Sequence, residues 1–386
     1  MILGIDASNL RDGGGVTHLI EFLNGMNSLV NEFSRVYIWG GKSTLNRLTD
    51  RSWLSKVHLP ILDKKLPFRI FWQKFRLSKL AKEVHCEVLF IPGSLYLGNF
   101  KPVVTMSRNM LPFELTELKR YGLSSVSIRL LFLRWMQTYS FKRVDGLIFL
   151  SQYACGSVIR VTGKISGKTC TIPHGLNPRF LQAPKKQSSI NEYSEEKPFR
   201  ILYVSIIDYY KHQWKVVEAV SLLREKGFPV ELELVGPSYP PALKRVKKAK
   251  LKSNDNGTWV HYHGSIPFEE LHLIYLQAEL GLFASSCENM PNILLETMAS
   301  GLPIACSNRG PMPEVLGETG VYFDPEKSLD IARAIQELID SPQLREDLAH
   351  ASYKRAQQFS WQRCANETFG FLKDVNSQKD STCAVL

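Results

Sequence analysis

The sequence predicts an α/β protein with two domains in series, each built on a mainly parallel sheet covered on both faces. Short apolar runs alternate with amphipathic stretches, the strand–helix–strand order that closes a parallel sheet. The order pauses in a polar stretch, 184–198, rich in Lys, Gln, Ser and Glu, and then restarts. A length of 386 residues is enough for two cores.

The first half opens with Ile2-Leu3-Gly4-Ile5-Asp6, an apolar run short enough to be a strand. A loop with Gly13-Gly14-Gly15 follows, then a helix from Val16 to Val30. Strands are expected at Val36 to Trp39, Val88 to Ile91, Val103 to Met106 and Gly146 to Leu150, with helices near 70–84 and 124–143. After the polar stretch the expected strands are Arg200 to Ser205, Val230 to Val235, Val260 to Tyr262, Leu280 to Ala284 and Pro303 to Ser307. Helices are expected at Trp214 to Lys226, Leu243 to Lys252 and 327–340. The expected boundaries are a first domain at 1–183, a linker at 184–198 and a second domain at 199–360. A helix at 361–375 and a disordered tail at 376–386 follow.

Composition narrows the class. An apolar fraction of 44% with 22% charged residues is that of a soluble globular protein. No apolar run approaches the ~20 residues that cross a bilayer. Met1 to Asp6 meets an acid too early for a signal peptide, so a cytoplasmic protein is expected. Seven scattered cysteines without a Cys-x-x-Cys pair point to reduced thiols, not to disulfides or a zinc site.

Charge is unevenly placed. Residues 1–180 hold 25 Lys/Arg against 11 Asp/Glu, and the remainder 23 against 26. A basic half suits nucleic acid, anionic lipid or a phosphorylated substrate. No nucleic-acid motif accompanies it, so nucleic acid is not an expected partner. Phe68 to Lys82 and Ile128 to Arg143 mix Trp72, Phe75, Phe132 and Trp135 with many cations. They suit peripheral contact with an anionic membrane surface, although amphipathic packing explains their apolar halves equally well.

The stretch Cys287 to Pro303 carries the strongest functional signal. Glu288 stands in a strand-to-helix loop, Pro291 suits the first helical position, and Glu296 lies more than a turn inside. Two carboxylates so spaced, with a helix N-terminus between them, fit an elongated ligand with hydroxyls at both ends and an anionic middle. A nucleotide sugar has that shape.

With these residues in place, the chain resembles the retaining glycosyltransferases of family 4. The resemblance rests on Gly13-Gly14-Gly15, Ile172-Pro173-His174-Gly175, Val204-Ser205 with Lys211, the Glu288/Glu296 pair, Pro313-Glu314-Val315, Gly320 to Asp324 and Gln358-Phe359-Ser360-Trp361. It implies the GT-B fold, two Rossmann-like doubly wound domains facing across a cleft, with the last helix crossing back onto the first domain. It departs at three places. Ile206 replaces a common Arg, with Lys215 or Arg309 as candidate substitutes. Asn289-Met290-Pro291 replaces a Gly-Phe-Gly, and Ser107-Arg108-Asn109 replaces a His-Asp.

The resemblance assigns Lys211 and Glu288 to catalysis. It assigns Gly14, Gly15, Ser205, Lys211, Gly264, Asn289, Met290, Asn292 and Glu296 to the donor, and Arg108, Asn109 and His174 to the acceptor side. The implied donor is a UDP- or GDP-sugar and the acceptor a glycan or polyprenyl-linked glycan. Without an Asp-x-Asp triplet, no metal and no cofactor are expected. The Gly13 to Gly15 loop does not have the dinucleotide-binding spacing, and an ordinary turn would look the same.

Three weaker signals remain. His261-Tyr262-His263 places two imidazoles on one strand face without a third ligand in view, so a structural or nucleotide-side role is expected. Cys383-Ala384-Val385-Leu386 has the form of a prenylation box, which chance also produces. A nucleotide-sugar epimerase of the same fold, or a basic binding protein without activity, are the alternative functions.

Overall fold

The computed structural model describes residues 1–11, 13–253 and 258–383, of which 30, 31 and 378–383 are described by backbone alone. The chain forms two compact units. The first comprises Met1–Phe113, Ser125–Gly175 and Ser360–Leu386, the second Glu114–Ser124 and Leu176–Phe359.

The first unit holds seven parallel strands: β1 (Ile2–Asp6), β2 (Arg35–Gly40), β3 (Leu54–His58), β4 (Val88–Ile91), β5 (Val103–Met106), β6 (Gly146–Phe149) and β7 (Lys168–Thr171). Their order is β3-β2-β1-β4-β5-β6-β7. Every residue of β4, β5 and β6 is buried, as expected where helices cover both faces. β3 and β7 escaped the sequence pattern because their burial is partial and they carry Lys56, Lys168 and three Ser/Thr positions. The helix expected at Val16 to Val30 is α-helical over Gly14–Gly25 and continues as a 3-10 turn, Met26–Glu32.

The second unit holds β8 (Phe199–Val204), β9 (Val230–Val235), β10 (Val260–Tyr262), β11 (Leu280–Phe283), β12 (Ile304–Ser307) and β13 (Val321–Phe323). The order is β10-β9-β8-β11-β12-β13, all parallel. The order reverses between β8 and β11, and at such a switch point the loops leaving two strands diverge and open a crevice. Both units are Rossmann-like parallel sheets, the fold class the sequence predicts.

The unit boundaries differ from those expected. Residues 184–198 are not a free linker. The guanidinium of buried Arg345 donates to Ser188 O at 2.5 Å and to Gln187 Oε1 at 3.1 Å, and also to Leu338 O and Ile339 O. Lys185 donates to Leu276 O at 2.6 Å. These contacts anchor the first part of the stretch to the second unit, while most of its remaining polar side chains are exposed. Glu114–Ser124 leaves the first unit's sequence and packs in the second, tied by Arg120 to Glu326 at 2.8 Å and by the Tyr121 hydroxyl to Asp208 at 2.9 Å.

The last helix, Trp361–Cys383, belongs to the first unit and lies against Gly14–Gly25. A Cβ on Gly25 would sit 2.5 Å from the Ala365 Cβ, so only glycine permits that approach. The tail expected from 376 is helical through Cys383, and Ala384-Val385-Leu386 lies outside the described residues. Among the described residues, no helix is long and apolar enough to cross a membrane.

Arg345 is the sharpest test of this packing. Its loss leaves two buried and two part-buried acceptors short of a donor, so Arg345→Met is expected to cost about 2–4 kcal/mol, read as a lowered denaturant midpoint. A change within 0.5 kcal/mol, about the scatter of surface substitutions, would contradict it.

Candidate functional site

The loops that leave β8 and β11 build the site of the second unit. Ile201 and Leu202 pair with Leu280 and Gly281, which brings the loops holding Lys211 and Glu288, 77 positions apart, side by side. After β8 the chain runs through Ser205, a 3-10 turn (Tyr209–Lys211) and His212, which caps the helix Gln213–Glu225. His212 has φ 53°, a left-handed conformation that folds the turn back on the strand end. After β11 the chain runs through Ser285 to Pro291 into the helix Asn292–Ala299. Pro291 is the cap before that helix, one position earlier than expected.

Lys211 and Glu288 form an ion pair between the two loops. The Lys211 side chain is 6% exposed and that of Glu288 is 16%. The Lys211 ammonium also stands 5.2 Å from the ring centres of Tyr210 and Phe283, an arrangement favourable to a cation. The loops are stitched further by backbone. Ser286 N donates to Tyr210 O at 2.8 Å, and the Tyr203 hydroxyl donates to Lys211 O at 2.8 Å. His212 Nε2 meets Ser286 Oγ at 2.8 Å. Burial, reinforced by Arg120, pushes the His212 pKa down to about 4, so the imidazole is neutral at pH 7.

Glu296 sits differently. Its Oε2 and the hydroxyl of the neighbouring Tyr275 are both shielded from solvent without a well-formed hydrogen bond, with Tyr275 near enough to favour the carboxylate. Burial raises the Glu296 pKa to about 8, against weaker lowering by Tyr275 and Arg179. Asn292 Oδ1, at the start of the same helix, is likewise buried without a partner. Unsatisfied polar atoms of this kind are costly, and a ligand hydroxyl or amide would satisfy them.

The other expected donor residues distribute as follows. Ser205 is buried and its N–H donates to Val235 O at 2.8 Å. Asn289 and Met290 are buried in the loop before the helix. Gly264, φ 69°, follows β10, and its carbonyl accepts from Gly236 N at 2.7 Å. Lys215 and Arg309 are each held by a carboxylate, Glu218 at 2.8 Å and Asp324 at 3.2 Å.

Gly14, Gly15, Arg108, Asn109 and His174 lie in the first unit. Gly14 and Gly15 open the first helix, and the Arg108 guanidinium donates to Gly14 O at 2.7 Å. Burial lowers the Arg108 pKa to about 10, still fully charged at pH 7. His174 packs against His18, ring centres 4.8 Å apart, and against Trp361 at 5.6 Å. Burial holds both imidazoles well below their ordinary pKa, so both are neutral. Asn109 turns inward on its own loop, its Oδ1 accepting from Leu111 N at 3.1 Å.

Sequence reasoning did not single out Tyr121, Asp208, His212 or Ser286. Asp208 accepts from Tyr209 N and the Tyr121 hydroxyl, and burial raises its pKa. The Tyr121 ring packs edge-on to Tyr209 at 5.4 Å. No local pattern marks these contacts, because Tyr121 arrives from 87 residues away.

Residues 185–355 match the family described as "Glycosyl transferases group 1". The O-antigen chain mannosyltransferase B of Escherichia coli is 32% identical over 115 residues, 30% of this chain and 30% of that protein. The serotype-specific mannosyltransferase WbdA of Escherichia coli is 28% identical over 253 residues, 62% of this chain and 30% of that protein. The matched stretches thus span less than a third of these two relatives. Among solved structures, sucrose-phosphate synthase from Thermosynechococcus elongatus superposes with a TM-score of 0.74 at 17% identity, covering 98% of this chain and 100% of that one. The glycosyltransferase match thus lies within the second unit, and the likeness to solved structures is one of fold, the two-domain GT-B architecture.

Glu296 gives a pH signature. Below about pH 4.5 both folded and unfolded chains hold its proton. Between that value and about 8 the unfolded chain ionises while the folded one does not, so stability falls with rising pH. Glu296→Gln removes this slope and gains about 2 kcal/mol or more relative to the parent between pH 5 and pH 8. Denaturant titrations at both pH values that move in parallel would refute the raised pKa.

Proposed function

We propose that the chain is a retaining, metal-independent glycosyltransferase of family 4. It moves a hexose from a UDP- or GDP-sugar to a glycan or polyprenyl-linked acceptor in surface polysaccharide or glycolipid biosynthesis. The observation that carries this reading is the pairing of a buried lysine with the first of two glutamates, at the mouth of a helix that holds the second. The relatives named as mannosyltransferases make mannose the first donor sugar to test.

In this mechanism the diphosphate lies against Lys211 and the N-terminal end of the helix Asn292–Ala299, which carry fixed positive charge toward it. Glu296 Oε2 takes the ribose hydroxyls that satisfy it. Glu288 orients the Lys211 ammonium and accepts from a hydroxyl of the donor sugar. The acceptor oxygen attacks the anomeric carbon on the face the diphosphate leaves. The carbon–oxygen bond to the β-phosphate breaks, and the acceptor's proton passes to the departing phosphate oxygen. Negative charge grows on that phosphate, and Lys211 stabilises it in a water-poor site. The chemistry then needs no strong general base, which accords with burial lowering the proton affinity of His18, His174 and His212.

Lys211→Met is expected to lower kcat by about 100-fold or more, the effect of removing one aimed charge, in assays run with chelator present. Turnover close to the parent's, or strict dependence on Mg²⁺ or Mn²⁺, would sink the mechanism. Product analysis separates transfer from epimerisation, which would consume donor without an acceptor.

A second observation supports a membrane-side acceptor. Phe71 (55% exposed), Phe75 (57%), Phe132 (56%) and Trp135 (63%) face solvent instead of the core. Lys64, Lys74 and Arg143 stand over Phe68, Phe75 and Tyr139 at 5.0–5.4 Å. Exposed rings interleaved with cations suit the headgroup region of an anionic bilayer. Flotation with phosphatidylglycerol vesicles at low salt should carry the protein upward, and Phe132→Glu/Trp135→Glu should abolish this. Protein left at the bottom of the gradient would rule the surface out.

A further inference from the structure

We propose that β9 and β10 carry a binding site for a divalent transition-metal ion, formed by Glu231, Glu233, His261 and His263. The sequence shows His261-Tyr262-His263 without further ligands. The fold supplies two. β9 and β10 run parallel with His261 beside Glu233 and Val260 beside Leu232. Alternation along each strand turns Glu231 and Glu233 to one face of the sheet, opposite the buried Leu232 and Leu234. His261 and His263 share that face.

Three of the side chains converge there, and His263 joins them through Glu233. Ligand atoms of Glu231, Glu233 and His261 all lie within 4.8 Å of one another. His261 Nε2 stands 3.6 Å from Glu231 Oε2, and His263 Nε2 contacts Glu233 Oε2. In a tetrahedral site with bonds near 2.0–2.1 Å, adjacent donor atoms are about 3.4 Å apart. The spacing of Glu231, Glu233 and His261 is thus close to what such a site needs.

The surroundings suit a ligand. A cavity of about 420 Å³ opens over these residues, bounded also by Arg200, Ile274 and Gln277. Two imidazoles with two carboxylates form a set that favours Zn²⁺ and its first-row neighbours over Mg²⁺ or Ca²⁺, which prefer oxygen alone.

The site lies apart from Lys211, Glu288 and Glu296, with His263 directly preceding Gly264, which the resemblance assigns to the donor. Its residues lie within β9 and β10 and just beyond β10, at one edge of the sheet. Lys211, Glu288 and Glu296 lie in the loops and helix beyond β8 and β11, nearer its middle. A metal here would tie the three-residue edge strand β10 to its neighbour, a structural staple that acts on stability and leaves glycosyl transfer metal-independent.

The test uses the full chain stripped by chelator and titrated with Zn²⁺ alone. Calorimetry should show one saturable equivalent, and thermal unfolding should shift upward on loading. His261→Ala and Glu231→Gln should each weaken binding more than about tenfold, since each removes a ligand from the set. X-ray absorption on the loaded protein should report nitrogen and oxygen neighbours without sulfur. Circular dichroism of the variants establishes that they are folded, and Tyr262→Phe, whose side chain points to the opposite face, should bind as the parent does. Absence of saturable binding, unchanged affinity in both ligand variants, or a sulfur shell from cysteine would overturn the proposal. None of these readouts depends on turnover, so they stand or fall apart from the glycosyltransferase reading.

Discussion

The parallel pairing of β8 with β11 is the constraint on which the second unit's chemistry depends. Hydrogen bonding between these strands fixes where their loops emerge, and the reversal of strand order there opens space between the loops. Lys211 and Glu288 then meet because the sheet leaves their chain segments no other place. A buried ion pair is a weak source of stability, since desolvation offsets most of its attraction. Its retention at a strand-end crevice is therefore better understood as positioning: the carboxylate holds the ammonium in one direction within an apolar, aromatic setting.

Glu296 shows the complementary principle. Burial without a partner makes its ionised form costly, and the protein tolerates that cost at one turn's depth in a helix whose mouth faces the same crevice. Groups left unsatisfied in a fold where nearly all buried polar atoms are paired are the places where a ligand completes the structure. The first unit contains a second such place, the neutral His18–His174 pair beside Arg108, whose ring nitrogens include three without partners. There the Arg108 guanidinium already donates to the carbonyls of Gly14 and Gly15.

Most core strands were legible from short apolar runs, and β1, β4, β5, β9 and β10 occupy the residues the pattern marks. β3 and β7 were not, because edge positions are half-solvated and dilute the apolar signal. Residues 184–198 misled for a different reason. Arg345 holds Ser188 O and Gln187 Oε1, so a stretch whose side chains are mostly solvated is still fixed to the unit, and composition alone does not reveal that anchorage. The excursion of Glu114–Ser124 into the second unit was invisible, since nothing local announces that Tyr121 will meet Asp208.

By itself, the sequence determined the alternation of strand and helix, the restart after the polar stretch, and the glutamate spacing around a helix mouth. These are local properties, written in periodicity and in turn residues. Only the tertiary structure decided that Lys211 closes on Glu288, that Glu296 is left without a partner, and that Glu231 and Glu233 stand beside His261 and His263. The reason is that sheet register, which brings distant residues to one face, is set by the packing of the whole unit and not by any short run of chain.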